Sequence, residues 1–168
     1  MNRLAVQALS APAFAPFGDV LACDGSRHYP INEGTTQRYD DLARIDAGPH
    51  GRVIVSIFRG QPRAFPLRIA MMERHPLGSQ TFMPLQGTPY LVVVAEPGSP
   101  ATLPGRLHAF LARGDQGVNY ARGVWHHPLI AIGQVSDFLV IDSRGGGPNC
   151  DEAELAQAVV LEHPGAGC

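Results

Sequence analysis

Short apolar runs separated by glycine and proline recur along the whole chain. The runs are rich in Val, Ile, Leu and Phe, and 19 Gly and 15 Pro residues interrupt them. This pattern is typical of many short strands joined by turns, so we predict a mainly β protein built as a sandwich or barrel. The predicted strands are Val53–Arg59, Pro66–Glu73, Thr81–Pro84, Tyr90–Ala95, Gly117–Tyr120 and Phe138–Asp142.

Three segments have helical character. Ser10 precedes the run Ala11-Pro12-Ala13-Phe14, and a Ser cap with Pro near the first turn predicts a short helix there. Arg106–Arg113 is a second candidate for a short helix. Asp151–Leu161 begins with an acidic cap and carries apolar residues at helical spacing, so we predict a C-terminal helix. The polar, irregular segment Asp24–Asp40 is expected to form an arm or lid.

Size and charge narrow the class of protein. The 168 residues predict one domain, and the net charge of -2 without a basic patch argues against a nucleic-acid partner. No apolar stretch approaches the roughly 20 residues that a membrane span needs, so no membrane association is expected. The three cysteines, Cys23, Cys150 and Cys168, lack metal-type spacing and are expected to be inert thiols in a reducing cytoplasm.

The chain contains no lysine: its 13 basic residues other than histidine are all arginine. This excludes Schiff-base catalysis and phosphate binding by a P-loop lysine. An anionic substrate group must therefore be held by arginine, histidine or backbone N–H groups.

Polar side chains crowd one segment between two apolar runs, from Met72 to Leu85. Such groups are costly to bury unless they are paired or functional. Strand alternation places one set of residues on a single face, with Arg74 pointing outward or toward a neighbouring subunit. That face carries Leu67, Ile69, Met71, Glu73 and His75. Gln80 follows in the same segment, and His126 lies in the second histidine-containing run, Gly123–Leu129.

This spacing is similar to the two metal-binding motifs of the cupin superfamily. Glu73 stands at the position of the first histidine, His75 at the second, Gln80 at the glutamate and His126 at the third histidine. Two imidazoles and one carboxylate form a recognised ligand set for a divalent metal. The alternative is that Glu73 and His75 pair across a metal-free cavity.

Several longer runs together resemble the ureidoglycolate lyase family. They are Phe14–Val20, Ile31–Thr35, Glu73–Pro76 with Ser79-Gln80, Gly117–Tyr120, Trp125–Leu129 and Asp137–Asp142. The resemblance implies a cupin-type β-barrel (a double-stranded β-helix) with a few short helices, spanning residues 1–168 as one catalytic domain. It also implies a homodimer that cleaves (S)-ureidoglycolate to glyoxylate and urea in allantoin degradation, a branch of purine catabolism. Ni²⁺ is the metal that the resemblance favours, with Zn²⁺ or Mn²⁺ as alternatives, and no organic cofactor is expected.

Candidate roles follow from the chemistry of C–N cleavage. Either His75 or His126 is the general base, since imidazole titrates near neutral pH, unless a metal makes both of them ligands. Glu73 is either a metal ligand or, with a raised pKa, the acid. The remaining candidates bind substrate: Gln80 and Asn32 the urea amide, and Arg38 or Arg74 the carboxylate. Four neighbours are expected to be structural, namely Tyr120, Trp125, His127 and Asp142.

Other activities suit the same residues. An amidohydrolase acting on the same substrate would release ammonia and carbon dioxide instead of urea. A non-catalytic cupin would bind a small acid or sugar, and a metal-dependent dioxygenase is a further option. The Glu and Gln replacements suit a redox iron site less well.

Overall fold

Two β-sheets make up most of the protein. A computed structural model describes residues 2–99 and 103–165. The elements are β1 (Asn2–Arg3), β2 (Val6–Ala8), α1 (Ala11–Phe14), β3 (Gly18–Leu21), β4 (His28–Ile31), a 3₁₀ turn (Asn32–Gly34), β5 (Thr36–Tyr39), β6 (Arg52–Gly60), β7 (Leu67–Arg74), β8 (Gln80–Pro84), β9 (Tyr90–Pro97), β10 (Pro104–Ala112), β11 (Gly117–Tyr120), β12 (Trp125–His126), β13 (Ile130–Ala131), β14 (Ser136–Arg144) and β15 (Asp151–Leu161).

The larger sheet is curled. Seven of its eight strands run in the order β1-β15-β7-β12-β9-β10-β2, and the eighth, β13, pairs with β9 off this path. Because β1 and β2 are consecutive in the chain but lie at opposite ends of this order, the N-terminal residues link the two edges. The smaller, five-stranded sheet has the order β3-β11-β8-β14-β6, and β4 and β5 form a separate hairpin. The prediction of a mainly β, cupin-like fold is confirmed.

Apolar side chains cover both faces of the large sheet. Val92 and Val94 of β9 belong to a cluster that also contains Phe138 and Val140 of the smaller sheet. Leu91 and the other alternate residues of β9 belong to a second cluster on the opposite face. Each fully buried side chain of this kind stabilises the fold by about 1.5–3 kcal/mol. β9 is therefore covered by apolar side chains on both faces, and it pairs with β10, β12 and β13.

The strand and N-terminal helix predictions are confirmed. All six predicted strands are present, with bounds shifted by a few residues. The side chain of Ser10 accepts a hydrogen bond from the backbone N–H of Ala13 at 3.4 Å, so it caps α1 as expected. No helix within residues 2–99 and 103–165 is long and apolar enough to cross a membrane.

Both remaining helix predictions are wrong. Arg106–Arg113 falls mostly in β10, which pairs with β9 on one side and β2 on the other. Asp151–Leu161 is β15, which pairs with β7 and β1. In its first half exposed Glu152 and Glu154 alternate with partly buried Ala153 and Leu155, which is the period of a strand. Pairing on both sides overrides the helical preference of these residues.

The predicted face of β7 is wrong in its first half. Leu67, Ile69 and Met72 all pack in the second apolar cluster, so the alternation slips between Ile69 and Met72. The slip coincides with a bulge, where four residues of β15 lie opposite a single residue of β7. Glu73 consequently faces the smaller sheet, although Leu67 and Ile69 do not.

The segment Asp24–Asp40 contains a hairpin rather than irregular chain. β4 and β5 pair with each other through the 3₁₀ turn. Asn32 and Glu33 adopt positive φ values of 51° and 58° in that turn. The role of this hairpin as a lid stays a prediction.

Candidate active site

A row of three polar residues crosses neighbouring strands of the large sheet. His126 on β12 lies directly opposite Glu73 on β7, and Glu73 lies directly opposite Glu152 on β15. Residues directly opposite each other in an antiparallel pair project from the same face, with Cβ atoms about 4.5–5.5 Å apart. The sheet therefore presents an imidazole and two carboxylates side by side.

Glu73, His75 and His126 form a compact cluster. One carboxylate oxygen and one nitrogen of each ring lie within 4.8 Å of one another. Nε2 of His126 lies 3.5 Å from Oε1 of Glu73, and the two imidazole ring centres are 5.2 Å apart. The structure thus brings together three of the predicted site residues with their polar atoms converging.

Backbone carbonyls fix the orientation of both imidazoles. Nδ1 of His75 donates to the carbonyl of Asn149 at 2.7 Å, and Nδ1 of His126 donates to the carbonyl of Val124 at 3.0 Å. Since a carbonyl oxygen only accepts, Nδ1 carries a proton in each ring. Nε2 of His126 faces Glu73. Histidines that bind metals are commonly held in this way, by a hydrogen bond from the nitrogen that is not a ligand.

His126 is the most constrained member of the cluster. Its side chain is 2% exposed, and its ring stacks on Tyr120 with 4.1 Å between ring centres and 7° between planes. Within the described residues, its Nε2 is buried without a hydrogen-bond partner. An unpaired buried nitrogen is costly, so this atom is poised to contact a bound group.

Gln80 connects His75 to a further carboxylate. Its Oε1 lies 3.0 Å from Nε2 of His75, and its Nε2 lies 3.4 Å from Oδ2 of Asp142. The other oxygen, Oδ1 of Asp142, is buried and has no hydrogen-bond partner among the described residues. Asp142, which the sequence predicted to be structural, where it would end a strand and cap a turn, lies within β14 instead and contacts Gln80 of the site.

The surroundings favour an ionised Glu73. Burial opposes the charge, but the close imidazole of His126, together with the charges of His75 and His127, outweighs it and holds the pKa of Glu73 below its ordinary value. Glu73 therefore lacks the raised pKa that a general acid requires. Burial and the charge of Glu73 raise the pKa of Tyr120, so its phenol remains protonated.

The predicted substrate-binding residues divide into two groups. Gln80 lies in the cluster, as described. Arg74 pairs with Asp151 at 2.9 Å and its guanidinium lies 4.8 Å from the centre of the Trp125 ring, on the face away from Glu73. Trp125 packs in the second apolar cluster, as expected of a structural residue.

Arg38 and Asn32 lie in the β4–β5 hairpin. Arg38 pairs with Asp40 at 2.9 Å, and Asn32 donates to the side chain of Thr36 at 3.4 Å. Among residues 2–99 and 103–165, the hydrogen bonds and ion pairs of these two side chains do not reach the Glu73 cluster.

Three residues near the cluster were not predicted as part of it. Asn149 supports His75 through its carbonyl, while Cys150 and Glu152 lie close to Glu73. Asn149 and Cys150 directly precede β15 and Glu152 lies in it, so predicting Asp151–Leu161 as a helix removed the strand pairing that brings this segment beside Glu73. The alternation of Glu152 and Glu154 with Ala153 and Leu155 was the signal for a strand, and a strand there would have placed them at the site.

Comparison with known proteins identifies the family. The sequence profile of the ureidoglycolate lyase family matches residues 1–162. The chain belongs to the ureidoglycolate lyase family. The chain is 52% identical over 162 residues to a protein named ureidoglycolate lyase from Burkholderia mallei (strain NCTC 10229), covering 96% of this chain and 94% of that protein.

Two further relatives of the ureidoglycolate lyase family are similarly close. A Burkholderia cepacia protein of the same name is 56% identical over 161 residues, covering 95% of this chain and 90% of that protein. One from Brucella ovis (strain ATCC 25840 / 63/290 / NCTC 10512) is 57% identical over 153 residues, covering 90% of this chain and 89% of that protein. The resemblance seen in the sequence is confirmed over nearly the whole chain.

Proposed function

We propose that this chain is a ureidoglycolate lyase, which releases urea from (S)-ureidoglycolate and leaves glyoxylate, as a step of allantoin degradation. The observation that carries the proposal is the buried, unpartnered Nε2 of His126 facing Glu73, in a chain that belongs to this family. We propose that residues 1–168 act as a single catalytic domain in the cytoplasm.

The reaction requires proton transfers at two places on one carbon. Ureidoglycolate carries a hydroxyl, a carboxylate and a urea nitrogen on that carbon. A base must take the hydroxyl proton while the departing urea nitrogen gains one, and no external water or nucleophile is consumed. Each positioned proton transfer is worth about 10²–10⁴-fold in rate.

The cluster supplies groups for these steps. His126 or His75 is the proposed base. Nε2 of His126 lies 3.5 Å from Glu73 and has no hydrogen-bond partner among the described residues, whereas Nε2 of His75 lies 3.0 Å from Oε1 of Gln80. Ionised Glu73 stabilises the imidazolium that forms when the base accepts a proton. Gln80, with Asn32 if the hairpin closes, is proposed to bind the urea amide through paired donor and acceptor atoms.

The same residues fit a divalent metal. Two imidazoles oriented by backbone carbonyls, one of them with a buried Nε2 that has no hydrogen-bond partner among the described residues, and an ionised carboxylate are suitable ligands with coordination positions left open. A metal bound there supplies positive charge that acidifies the substrate hydroxyl. We propose Glu73, His75 and His126 as its ligands and Ni²⁺ as the metal, with Zn²⁺ or Mn²⁺ as alternatives.

A cation must also hold the substrate carboxylate, and Arg38 and Arg74 are the candidates. Arg74 is already engaged by Asp151 and by the Trp125 ring. The side chain of Arg38 is 58% exposed, and its carboxylate partner among the described residues is Asp40. We therefore favour Arg38 for the carboxylate and expect Arg74 to support the sheet.

We also propose that the chain forms a homodimer through the outer face of the smaller sheet. Val53, Val55 and Ile57 of the edge strand β6 are 48%, 64% and 55% exposed. Their register partners on β14 include Ile141 and Leu139, which extend the apolar surface. Exposed apolar patches of this kind mark interaction sites.

Light scattering tests this proposal. It should give a dimer for the native chain, a monomer for Val55→Asp, and a dimer for the control Leu103→Asp.

The reaction is tested by product analysis. Metal-stripped and nickel-reconstituted proteins are incubated with (S)-ureidoglycolate, and urea, ammonia and glyoxylate are quantified. Urea and glyoxylate in equal amounts with little ammonia support the lyase. Ammonia in place of urea would indicate the amidohydrolase, and no turnover by either preparation would indicate a binding protein.

A further inference from the structure

Gln80 lies between two polar neighbours in the smaller sheet. On one side it is the direct register partner of Tyr120 on β11. On the other side, the register of β14 against β8, continued by one residue, places Asp142 opposite Gln80. Residues in direct register project from the same face of a sheet. Because the ring of Tyr120 stacks on His126, this face is the one turned toward the catalytic cluster.

Asp142 is a carboxylate with few partners. Its Oδ2 accepts a hydrogen bond from Nε2 of Gln80 at 3.4 Å. Its Oδ1 is buried and has no hydrogen-bond partner among residues 2–99 and 103–165, and the ion pairs in that part of the chain do not include Asp142. A buried carboxylate oxygen without a partner is costly, so an aspartate at this position needs an explanation beyond packing.

The contact with Gln80 supplies that explanation. The two orientations of a glutamine amide have the same shape, so the hydrogen-bond partners decide which one is adopted. An ionised carboxylate only accepts hydrogen bonds, so Asp142 selects the orientation in which the NH₂ group of Gln80 faces it. Oε1 of Gln80 then points away from Asp142, and it lies 3.0 Å from Nε2 of His75. The cluster therefore meets the oxygen of Gln80 and not its NH₂ group.

We propose that Asp142 is a positioning residue, which acts through Gln80 by holding the Gln80 carbonyl oxygen toward the catalytic cluster, a role that rests on the lyase function proposed above. A carbonyl oxygen has two lone pairs, so Oε1 can accept a second hydrogen bond besides its contact with His75. The ureido group of the substrate carries N–H donors, whereas the substrate carboxylate only accepts. Asp142 thus helps to determine which end of ureidoglycolate lies beside Gln80.

The same arrangement holds His75 from both sides. Its Nδ1 donates to the carbonyl of Asn149 at 2.7 Å, and its Nε2 lies against Oε1 of Gln80. If Asp142 no longer fixes the Gln80 amide, that amide is free to turn, and the second of these supports is lost. We therefore expect a change at Asp142 to affect the reaction although Asp142 itself does not contact His75 in the hydrogen bonds of the described residues.

Proton exchange of the Gln80 side chain tests the orientation without reference to turnover. In a ¹⁵N–¹H correlation spectrum each glutamine side chain gives a pair of NH₂ signals, and Gln80→Glu assigns the pair of Gln80 because it lacks that pair. In Asp142→Ala, exchange of these protons with water should be about tenfold faster or more, because their charged acceptor is lost.

Asp137→Ala is the matched control. Asp137 lies on the same strand and accepts from Nε2 of Gln86, also at 3.4 Å, but Gln86 is not part of the cluster. This variant should leave the exchange of the Gln80 protons unchanged and keep kcat/KM for (S)-ureidoglycolate within a few fold. Asp142→Ala should lower kcat/KM by about 10–100-fold.

A double variant tests the direction of the hydrogen bond. Gln80→Glu sets two carboxylates against each other and should also lower kcat/KM by about 10–100-fold. When Asp142→Asn is added, the new asparagine donates to one oxygen of the new glutamate, whose other oxygen faces His75 as Oε1 of Gln80 does. The double variant should therefore be about tenfold more active than Gln80→Glu. A purely structural Asp142 would make the double variant worse than Gln80→Glu.

Three outcomes overturn the proposal: unchanged exchange of the Gln80 protons in Asp142→Ala, no gain of activity in the double variant, or an equal loss of kcat/KM in Asp137→Ala. Circular dichroism confirms that each variant is folded. Should Asp142→Ala unfold, Asp142→Asn replaces it, because a neutral acceptor holds the amide less strongly. If the native chain released no urea, the lyase assignment would fail, and the exchange measurement would still decide whether Asp142 orients Gln80.

Discussion

Glu73 has two cross-strand neighbours of opposite character. On β12 lies His126, which is buried, stacked on Tyr120 and fixed by the carbonyl of Val124. On β15 lies Glu152, which is exposed, carries the same charge as Glu73 and has no ion-pair partner in the described part of the chain.

The contrast separates a preorganised side of the site from an unneutralised one. On the His126 side, packing and backbone hydrogen bonds have already oriented the groups, so their positions need little adjustment when substrate binds. On the Glu152 side, two like charges lie in direct register, which weakens the strand pairing. We expect mutations on the first side to affect the reaction most and mutations on the second to affect stability.

The largest effect is expected from His126→Ala. Loss of the buried imidazole removes either the base or a metal ligand, so kcat/KM for (S)-ureidoglycolate should fall by about 10²–10⁴-fold. Steady-state urea release measures this. His108→Ala is the control, because His108 pairs with Glu96 at 2.7 Å away from the cluster, and it should retain activity within a few fold. A mild effect of His126→Ala would remove the distinction between the two sides.

Glu73→Gln tests the carboxylate as a metal ligand. The substitution keeps the shape and removes the charge, so it should weaken Ni²⁺ binding by about 100-fold and lower activity with it. Glu152→Gln, on the exposed side, should leave the Ni²⁺ affinity within a few fold. Isothermal titration calorimetry measures both variants. An equal loss of affinity in the two would contradict the contrast between the two neighbours of Glu73.

Substitution of Arg38 and of Arg74 tests which of the two binds the substrate carboxylate. Arg38→Ala should raise KM by about tenfold with a smaller change in kcat, since a hydrogen-bonded charge pair contributes about 1.5–3 kcal/mol. Arg74→Ala should leave KM within a few fold and lower the midpoint of thermal unfolding, because it loses Asp151 and the Trp125 ring. The reverse pattern would assign the substrate carboxylate to Arg74.

The sequence predicted the His126 side of the site but not the Glu152 side, because the segment that carries Glu152 has the composition of a helix. Glu73, His75 and Gln80 lie close together in the chain, and the spacing to His126 matched a known motif. β15 is rich in Ala, Glu and Leu, which are strong helix formers, and only its pairing with β7 and β1 makes it a strand. The contacts that orient the histidines come from backbone carbonyls, which side-chain patterns do not reveal.

The smallest expected effect concerns stability without metal. In EDTA, Glu152→Gln should stabilise the fold by about 0.2–1 kcal/mol, because it removes the repulsion with Glu73. Glu73→Gln should instead destabilise it at neutral pH, because the lowered pKa of Glu73 means that the folded state favours its ionised form. That contribution is present above the ordinary pKa of glutamate and is lost as the pH falls through the lowered folded-state value. Denaturant unfolding of both variants at neutral and acidic pH measures these differences. If both variants were stabilised at neutral pH, repulsion would dominate Glu73 and the contrast between its two neighbours would fail.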